Sequence, residues 1–150
     1  METGLIAIEI AARIHSVPMD LQSVRKKYFV ERELSPAEMI RILRDHGFKA
    51  RHRQIAGLEE LKGYPLPQIL LTPEGGYHVL IGMKEGKCLI FDTGQKAIRE
   101  VDEAGLGGLW SGEVVALRPR FRQTEFAGSF KWLFMEFFRF RSIFCEVVGA

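Results

Sequence analysis

The chain has 150 residues, 47% of them hydrophobic, which is enough for one domain with a real core and an appendage. Its formal net charge of +2, from 21 Lys and Arg against 19 Asp and Glu, gives no bulk electrostatic reason to bind nucleic acid. The two cysteines, Cys88 and Cys145, fit no metal-ligand spacing, and the absence of a secretory signal makes a cytosolic setting without disulfides the expectation.

Residues 3–14 are apolar nearly all round, which predicts a buried helix with Glu9 and Arg13 paired four residues apart. Pro18 and Asp20 start a second helix through Leu21, Val24 and Tyr28. Ser35-Pro36-Ala37-Glu38 is a capping box with proline at the first helical position. Met39, Ile40 and Leu43 form the inward stripe of that third helix, and Gly47 suits its left-handed C-terminal cap.

The period then changes. From Phe48 to Arg53, Phe48, Ala50 and His52 alternate with Lys49, Arg51 and Arg53, as in a half-exposed strand whose charges protect an edge. A short helix or turn is expected over Ile55 to Leu61, and a strand over Pro67 to Leu71. Pro73-Glu74-Gly75-Gly76 turns the chain into a hairpin of Tyr77–Lys84 and Lys87–Asp92, closed by Glu85-Gly86. Ala97–Val101 and Glu113–Leu117 are two more short strands, with a helical turn between Asp102 and Trp110. Helices first and antiparallel strands afterwards predict an α+β domain.

Three positions in this order carry the functional reading. Thr3-Gly4 opens the first helix, His78 begins a strand, and Asp92 ends the next one. Pairing of those strands brings His78 and Asp92 together. Alone, a strand histidine is a satisfied core or edge residue, and Asp92-Thr93-Gly94 is an ordinary turn. The ordered set is what raises the functional reading.

The segment from Met1 to His15 resembles the first helix of the bacteriocin-processing, papain-like cysteine peptidases, and Leu106, Trp110, Gly112 and Val115-Ala116-Leu117 resemble their closing segment. The resemblance covers roughly residues 2–118. It implies a papain-like fold with N-terminal helices packed on an antiparallel sheet. In that family a cysteine precedes the glycine of the first helix, and a strand histidine and an orienting polar residue serve it. A helix N-terminus and an imidazole make such a thiol a thiolate. Here Thr3 stands in the cysteine's place, with Met1 and Glu2 before it and no glutamine for the oxyanion. Thr3, His78 and Asp92 are therefore expected to be a degenerate triad without catalysis, with His78, Tyr77 and Asp92 as substrate-binding residues.

Inactive relatives of this kind resemble the peptidase-like domain at the N-terminus of type I secretion ABC transporters, which export repeat-rich toxins and adhesins. The resemblance implies a domain that docks unfolded substrate on the cytoplasmic side of the bacterial inner membrane, as part of a transporter expected to be homodimeric. No cofactor is expected in this chain; ATP belongs to a nucleotide-binding domain elsewhere in such a transporter. Gly105-Leu106-Gly107-Gly108 lacks the following Lys-Ser/Thr of a phosphate loop, and His15, His46 and His52 form no metal grouping. Two rival readings stay open: a double-glycine leader peptidase or Thr-dependent hydrolase, and a regulatory or assembly module of the transporter.

Eight of the eleven phenylalanines lie at or after Phe121, which places a boundary after residue 119. The expected organisation is a peptidase-like domain at 1–119, a linker at 120–128 and an amphipathic helix at 129–150. In that helix Lys131, Glu136 and Arg139 gather on one side and Trp132 suits headgroup depth, so an interfacial helix leading toward a first membrane span is expected, and the sequence reads as a fragment of a longer transporter.

Overall fold

The computed structural model describes residues 3–120, so the expected linker and interfacial helix lie outside the described residues. Helices α1 (Thr3–Ile14), α2 (Leu21–Lys27) and α3 (Pro36–Asp45) come first. Strand β1 (Phe48–Gln54), helix α4 (Leu58–Leu61), strands β2 (Gln68–Leu71), β3 (Tyr77–Lys84), β4 (Lys87–Asp92) and β5 (Ala97–Asp102), helix α5 (Glu103–Leu109) and strand β6 (Glu113–Pro119) follow.

Local chemistry sets most of these boundaries. Asp20 caps α2 by accepting from the Gln22 N–H. Ser35 and Glu38 form the reciprocal capping box of α3, with Pro36 at its first position. Gly47 ends α3 at a φ of +90°, which glycine adopts without a Cβ penalty. The helix expected over Ile55 to Leu61 shrinks to Leu58–Leu61, because the Ile55 N–H bonds instead to the Gly112 carbonyl and extends the sheet margin.

The strands form one antiparallel sheet in the order β1-β6-β2-β3-β4-β5. Both of its faces are covered, so the central strands read as continuous apolar runs. Alternate residues serve different cores. Ile69 and Leu71 of β2, Tyr77, Val79 and Ile81 of β3, and Val115 and Leu117 of β6 pack with α1, α2 and α3. Leu70, Leu80, Ile90 and Val114 pack on the opposite face with Leu61 of α4 and Leu106 of α5. Helix α1 lies deep in the first core, with Leu5, Ala7, Ile8, Ala11 and Ala12 buried, as its apolar composition requires. Its Glu9–Arg13 pair forms at 2.7 Å. Cys88 is buried in the second core, and burial pushes its thiol pKa up, away from reactivity.

Candidate functional site

The N-terminus of α1 meets the start of β3 and the loop before α3. Glu33, in that loop, turns its carboxylate onto the helix end. Its Oε2 accepts from the Thr3 N–H at 2.9 Å and from the Thr3 hydroxyl at 2.5 Å, and its Oε1 accepts from the Gly4 N–H at 2.6 Å. The first N–H groups of a helix have no partner within it, and the helix dipole favours an anion there. Glu33 supplies both needs from within the chain.

The Thr3 oxygen also accepts a hydrogen bond, from the Tyr77 N–H at 3.0 Å. Two glycines permit this close approach. A Cβ on Gly76 would lie 3.0 Å from Thr3 Oγ1, and one on Gly4 would lie 3.0 Å from Glu33 Oε1. The Tyr77 ring is buried on the α1 side and its hydroxyl donates to the Leu34 carbonyl at 2.7 Å. Burial, reinforced by the carboxylates of Glu33, Glu38 and Glu113, drives the phenol pKa strongly upward, so it stays protonated as that donor.

His78 is the next residue along the strand, and side chains alternate across a sheet. Tyr77, Val79 and Ile81 face α1, so His78 shares the other face with Leu80. There its Nδ1 lies 3.9 Å from Asp92 Oδ1 and 3.3 Å from the Thr93 nitrogen, whose N–H donates to it. A ring nitrogen that accepts this N–H is unprotonated in that tautomer. Burial lowers the His78 pKa, and the nearby Arg99 adds to this, outweighing the pull of Asp92 and Glu74 toward the charged form.

Asp92 is held by more than the histidine. Its Oδ1 accepts from the N–H groups of Gly94 at 2.9 Å and Gln95 at 3.1 Å, and its Oδ2 accepts from Arg99 at 2.9 Å. Burial alone would raise its pKa; the Arg99 bond, the Gln95 N–H, the His78 charge and the Gly94 N–H together hold it below the usual carboxylate range.

The residues singled out in the sequence therefore divide into two groups. His78 and Asp92 meet, as the hairpin requires, but among the described residues no hydrogen bond or ion pair joins either to Thr3. Thr3 with Tyr77, and His78 with Asp92, thus form two hydrogen-bonded groups, because the one-residue step from Tyr77 to His78 changes the face; Thr93 bonds to both, through its hydroxyl to the Tyr77 carbonyl and its N–H to His78. Tyr77, grouped with His78 as a binding residue, belongs structurally with Thr3. The strand alternation carried that signal, since Tyr77 is in step with the apolar Val79 and Ile81. Glu33 was missed altogether; it lies 30 residues from Thr3, and nothing in its local sequence marks it.

Acyl transfer requires a nucleophile, a base to receive its proton and free donors for the oxyanion. On the α1 face the Thr3 hydroxyl and the two N–H groups are engaged with Glu33. The imidazole is on the other face. No group of three or more metal-ligating side chains is present among the described residues, and none of the described helices is long and apolar enough to cross a membrane.

The buried first helix, its N-terminus against a central strand of a six-stranded antiparallel sheet, is the arrangement of a papain-like peptidase fold, as the similar solved structures show. The chain matches the Peptidase C39 family over residues 1–122 and belongs to that family. It is 29% identical over 154 aligned positions to the cyclolysin secretion/processing ATP-binding protein CyaB of Bordetella pertussis, covering 98% of this chain and 21% of that protein. The chain thus spans about a fifth of that relative's length. Its fold is similar to a double-glycine-motif protease from an AMS/PCAT transporter, solved in complex with the leader peptide, with a TM-score of 0.71 at 18% identity, covering 79% of this chain and 84% of that one. The N-terminal peptidase C39-like domain of the toxin secretion ATP-binding protein from Vibrio parahaemolyticus gives 0.65 at 16% identity, with 79% and 98% covered.

Proposed function

We propose that this chain is a non-proteolytic peptidase-like domain of a type I secretion ABC transporter, and that it holds unfolded export substrate, an RTX-type toxin or adhesin, at the cytoplasmic face of the inner membrane. The observation that supports the loss of proteolysis most directly is the Glu33 carboxylate. It receives the Thr3 hydroxyl and the Thr3 and Gly4 N–H groups, so the helix end is already occupied by an anion of the chain itself. A tetrahedral oxyanion at that helix end would have to displace a carboxylate held by three hydrogen bonds, one of them from the would-be nucleophile.

Proteins similar to this chain belong to secretion systems. CyaB is a secretion/processing ATP-binding protein, and the Vibrio parahaemolyticus structure comes from a toxin secretion ATP-binding protein. On this reading the chain works within a homodimeric transporter, ATP is bound by a nucleotide-binding domain of that transporter, and residues 129–150 lie in the membrane interface. Substrate binds along β3 beside Tyr77, His78 and Asp92, where the strand starts beneath the Pro73–Gly76 turn.

Two measurements test this reading. Incubation with a double-glycine leader peptide is expected to give no cleavage by mass spectrometry, with either Thr3 or a Thr3→Cys replacement, because the cysteine would still face Glu33 and no imidazole. Hydrolysis after the double glycine would overturn it. NMR titration with a calcium-free, unfolded glycine/aspartate-rich repeat segment is expected to shift resonances around Tyr77, His78 and Asp92. The calcium-folded form is expected to leave them in place. No shift with either form would move the assignment to an assembly role in the transporter.

A further inference from the structure

The sheet face bearing His78 has a second unusual region at its other end. Lys49, Arg51 and Arg53 of β1 alternate with the core residues Phe48 and Ala50, so they share the face opposite α1. Strand β6 pairs with β1, and its Arg118 stands directly across from Lys49. Like charges directly opposed on neighbouring strands are destabilising. Lys49, Arg51, Arg53, Arg118 and Arg120 are all exposed, and none has an ion-pair partner among the described residues. The Glu113 carboxylate, which lies on the same pair of strands, is engaged by His52 at 3.1 Å. A chain with a net charge of only +2 thus concentrates unbalanced positive charge on one strip.

The strip is concave. These cations, with Tyr64 and Pro65, line a groove of about 470 Å³ over β1, β6 and β2. No carboxylate lines it. Gln68, fully buried, also lines the groove, and its Oε1 has no hydrogen-bond partner while its Nε2 donates to the Pro65 carbonyl. A buried acceptor without a donor is costly and uncommon. Beside the groove, β1 pairs only with β6; on its outer edge the Ala50 carbonyl accepts from the Arg44 guanidinium at 3.1 Å, and the edge has no strand partner.

We propose that this groove is a second docking surface, separate from the Thr3 cluster, for an acidic polypeptide segment in extended conformation. The complementarity is chemical. Alternate Asp or Glu side chains, spaced two residues apart, match the spacing of Lys49, Arg51 and Arg53 on one face of a strand. The main chain of such a segment can pair with the edge of β1 beyond Ala50, or along all of it once Arg44 releases the Ala50 carbonyl, as strand addition does elsewhere. A groove beside an edge strand favours a polypeptide, whose main chain can pair with that edge, over a flat anionic surface. The inference extends the reading of a cargo-holding domain but does not depend on the Thr3 cluster.

The test uses the full chain and a fluorescent twelve-residue peptide alternating Glu and Thr, with a Gln/Thr peptide as the neutral control. Anisotropy is expected to show salt-sensitive binding of the acidic peptide only. Neutralising the strip with Lys49→Gln, Arg51→Gln, Arg53→Gln and Arg118→Gln together is expected to weaken it about tenfold or more, since exposed ion pairs contribute little singly and four are removed at once. Unchanged circular dichroism and melting temperature of this variant exclude misfolding as the cause. Equal binding of the neutral peptide, or of the acidic peptide by the neutralised variant, would overturn the proposal. So would strip-dependent binding to phosphatidylglycerol vesicles with no binding of the peptide. Acidic-peptide binding that survives Thr3→Ala, alongside failure of the unfolded repeat to shift Tyr77 and His78, would sustain this inference while removing the substrate site at β3.

Discussion

Tyr77 and His78 are neighbours in the chain and belong to different environments. Tyr77 is 1% exposed, packs beside α1, and joins β3 to the helix end through its N–H and to the loop before α3 through its hydroxyl. His78 sits on the other face in a polar cluster with the buried Asp92 and with Arg99, whose side chain is the part open to solvent. The first region is satisfied by short bonds to a carboxylate and to carbonyls; the second is a set of titratable groups held near the surface. Their difference shows how a site can keep the residue types of a peptidase and lose its geometry. One residue of strand register decides which side chain reaches the helix, and Glu33 occupies what remains.

The comparison can be broken most directly at these two adjacent positions. Tyr77→Ala is expected to cost about 3–5 kcal/mol of stability, as for other large buried aromatics. His78→Ala is expected to cost less than about 1 kcal/mol, because its bonds are few and its surroundings partly solvated. Chemical denaturation of both variants checks this, and equal losses would mean that the two faces are not distinct.

Acid titration sharpens the same contrast. His15, at the end of α1 with its ring against Phe48, is buried on the helix side, and burial lowers its pKa from 6.5 to about 4. A histidine kept neutral in the folded state binds its proton more readily when unfolded. Stability is therefore complete above the unfolded value and declines as pH falls from 6.5 toward about 4. A shift of that size corresponds to roughly 3 kcal/mol once the fall is complete. His78 is lowered in the same direction and adds to the fall as pH drops below 6.5. The change in melting temperature between pH 7 and 4 is expected to shrink in His15→Gln far more than in His78→Gln.

Glu33→Ala removes the acceptor of three hydrogen bonds at the α1 N-terminus and is expected to cost about 2 kcal/mol, in the range of a lost helix cap together with charged hydrogen bonds. Amide exchange at Thr3 and Gly4 should accelerate in this variant. Protection there equal to the parent chain would show that another group caps the helix.

A small effect is also expected at Asp92. Asp92→Asn weakens the Arg99 and Gln95 contacts but leaves a side-chain oxygen for the turn, so about 1 kcal/mol of loss is expected near neutral pH. Because the folded carboxyl is held below its usual range, its contribution is present above the unfolded pKa and disappears as pH falls through the folded one. The difference between parent and variant should therefore vanish at strongly acidic pH, which urea melts at neutral and acidic pH would measure.

Much of this molecule is set locally by its sequence. The capping box at Ser35 and Glu38, the Gly47 cap, the Glu85-Gly86 hairpin turn and the basic edge strand all follow from residues a few positions apart. The alternation that sends Tyr77 toward α1 and His78 away from it is also present in the sequence, once both faces of the sheet are known to be covered. That last condition is tertiary: continuous apolar runs such as Gln68–Leu71 do not reveal which side meets which helix. The meeting of Thr3 with Glu33 and with the Tyr77 N–H, across 30 and 74 residues, has no local signature at all. The approach of Arg118 to Lys49 depends on β6 inserting between β1 and β2, which no neighbouring residue dictates. Local chemistry fixed the elements, because caps, turns and periods act within a few residues. Only the packing of distant segments decided which groups share a site, because that choice depends on burying two cores at once.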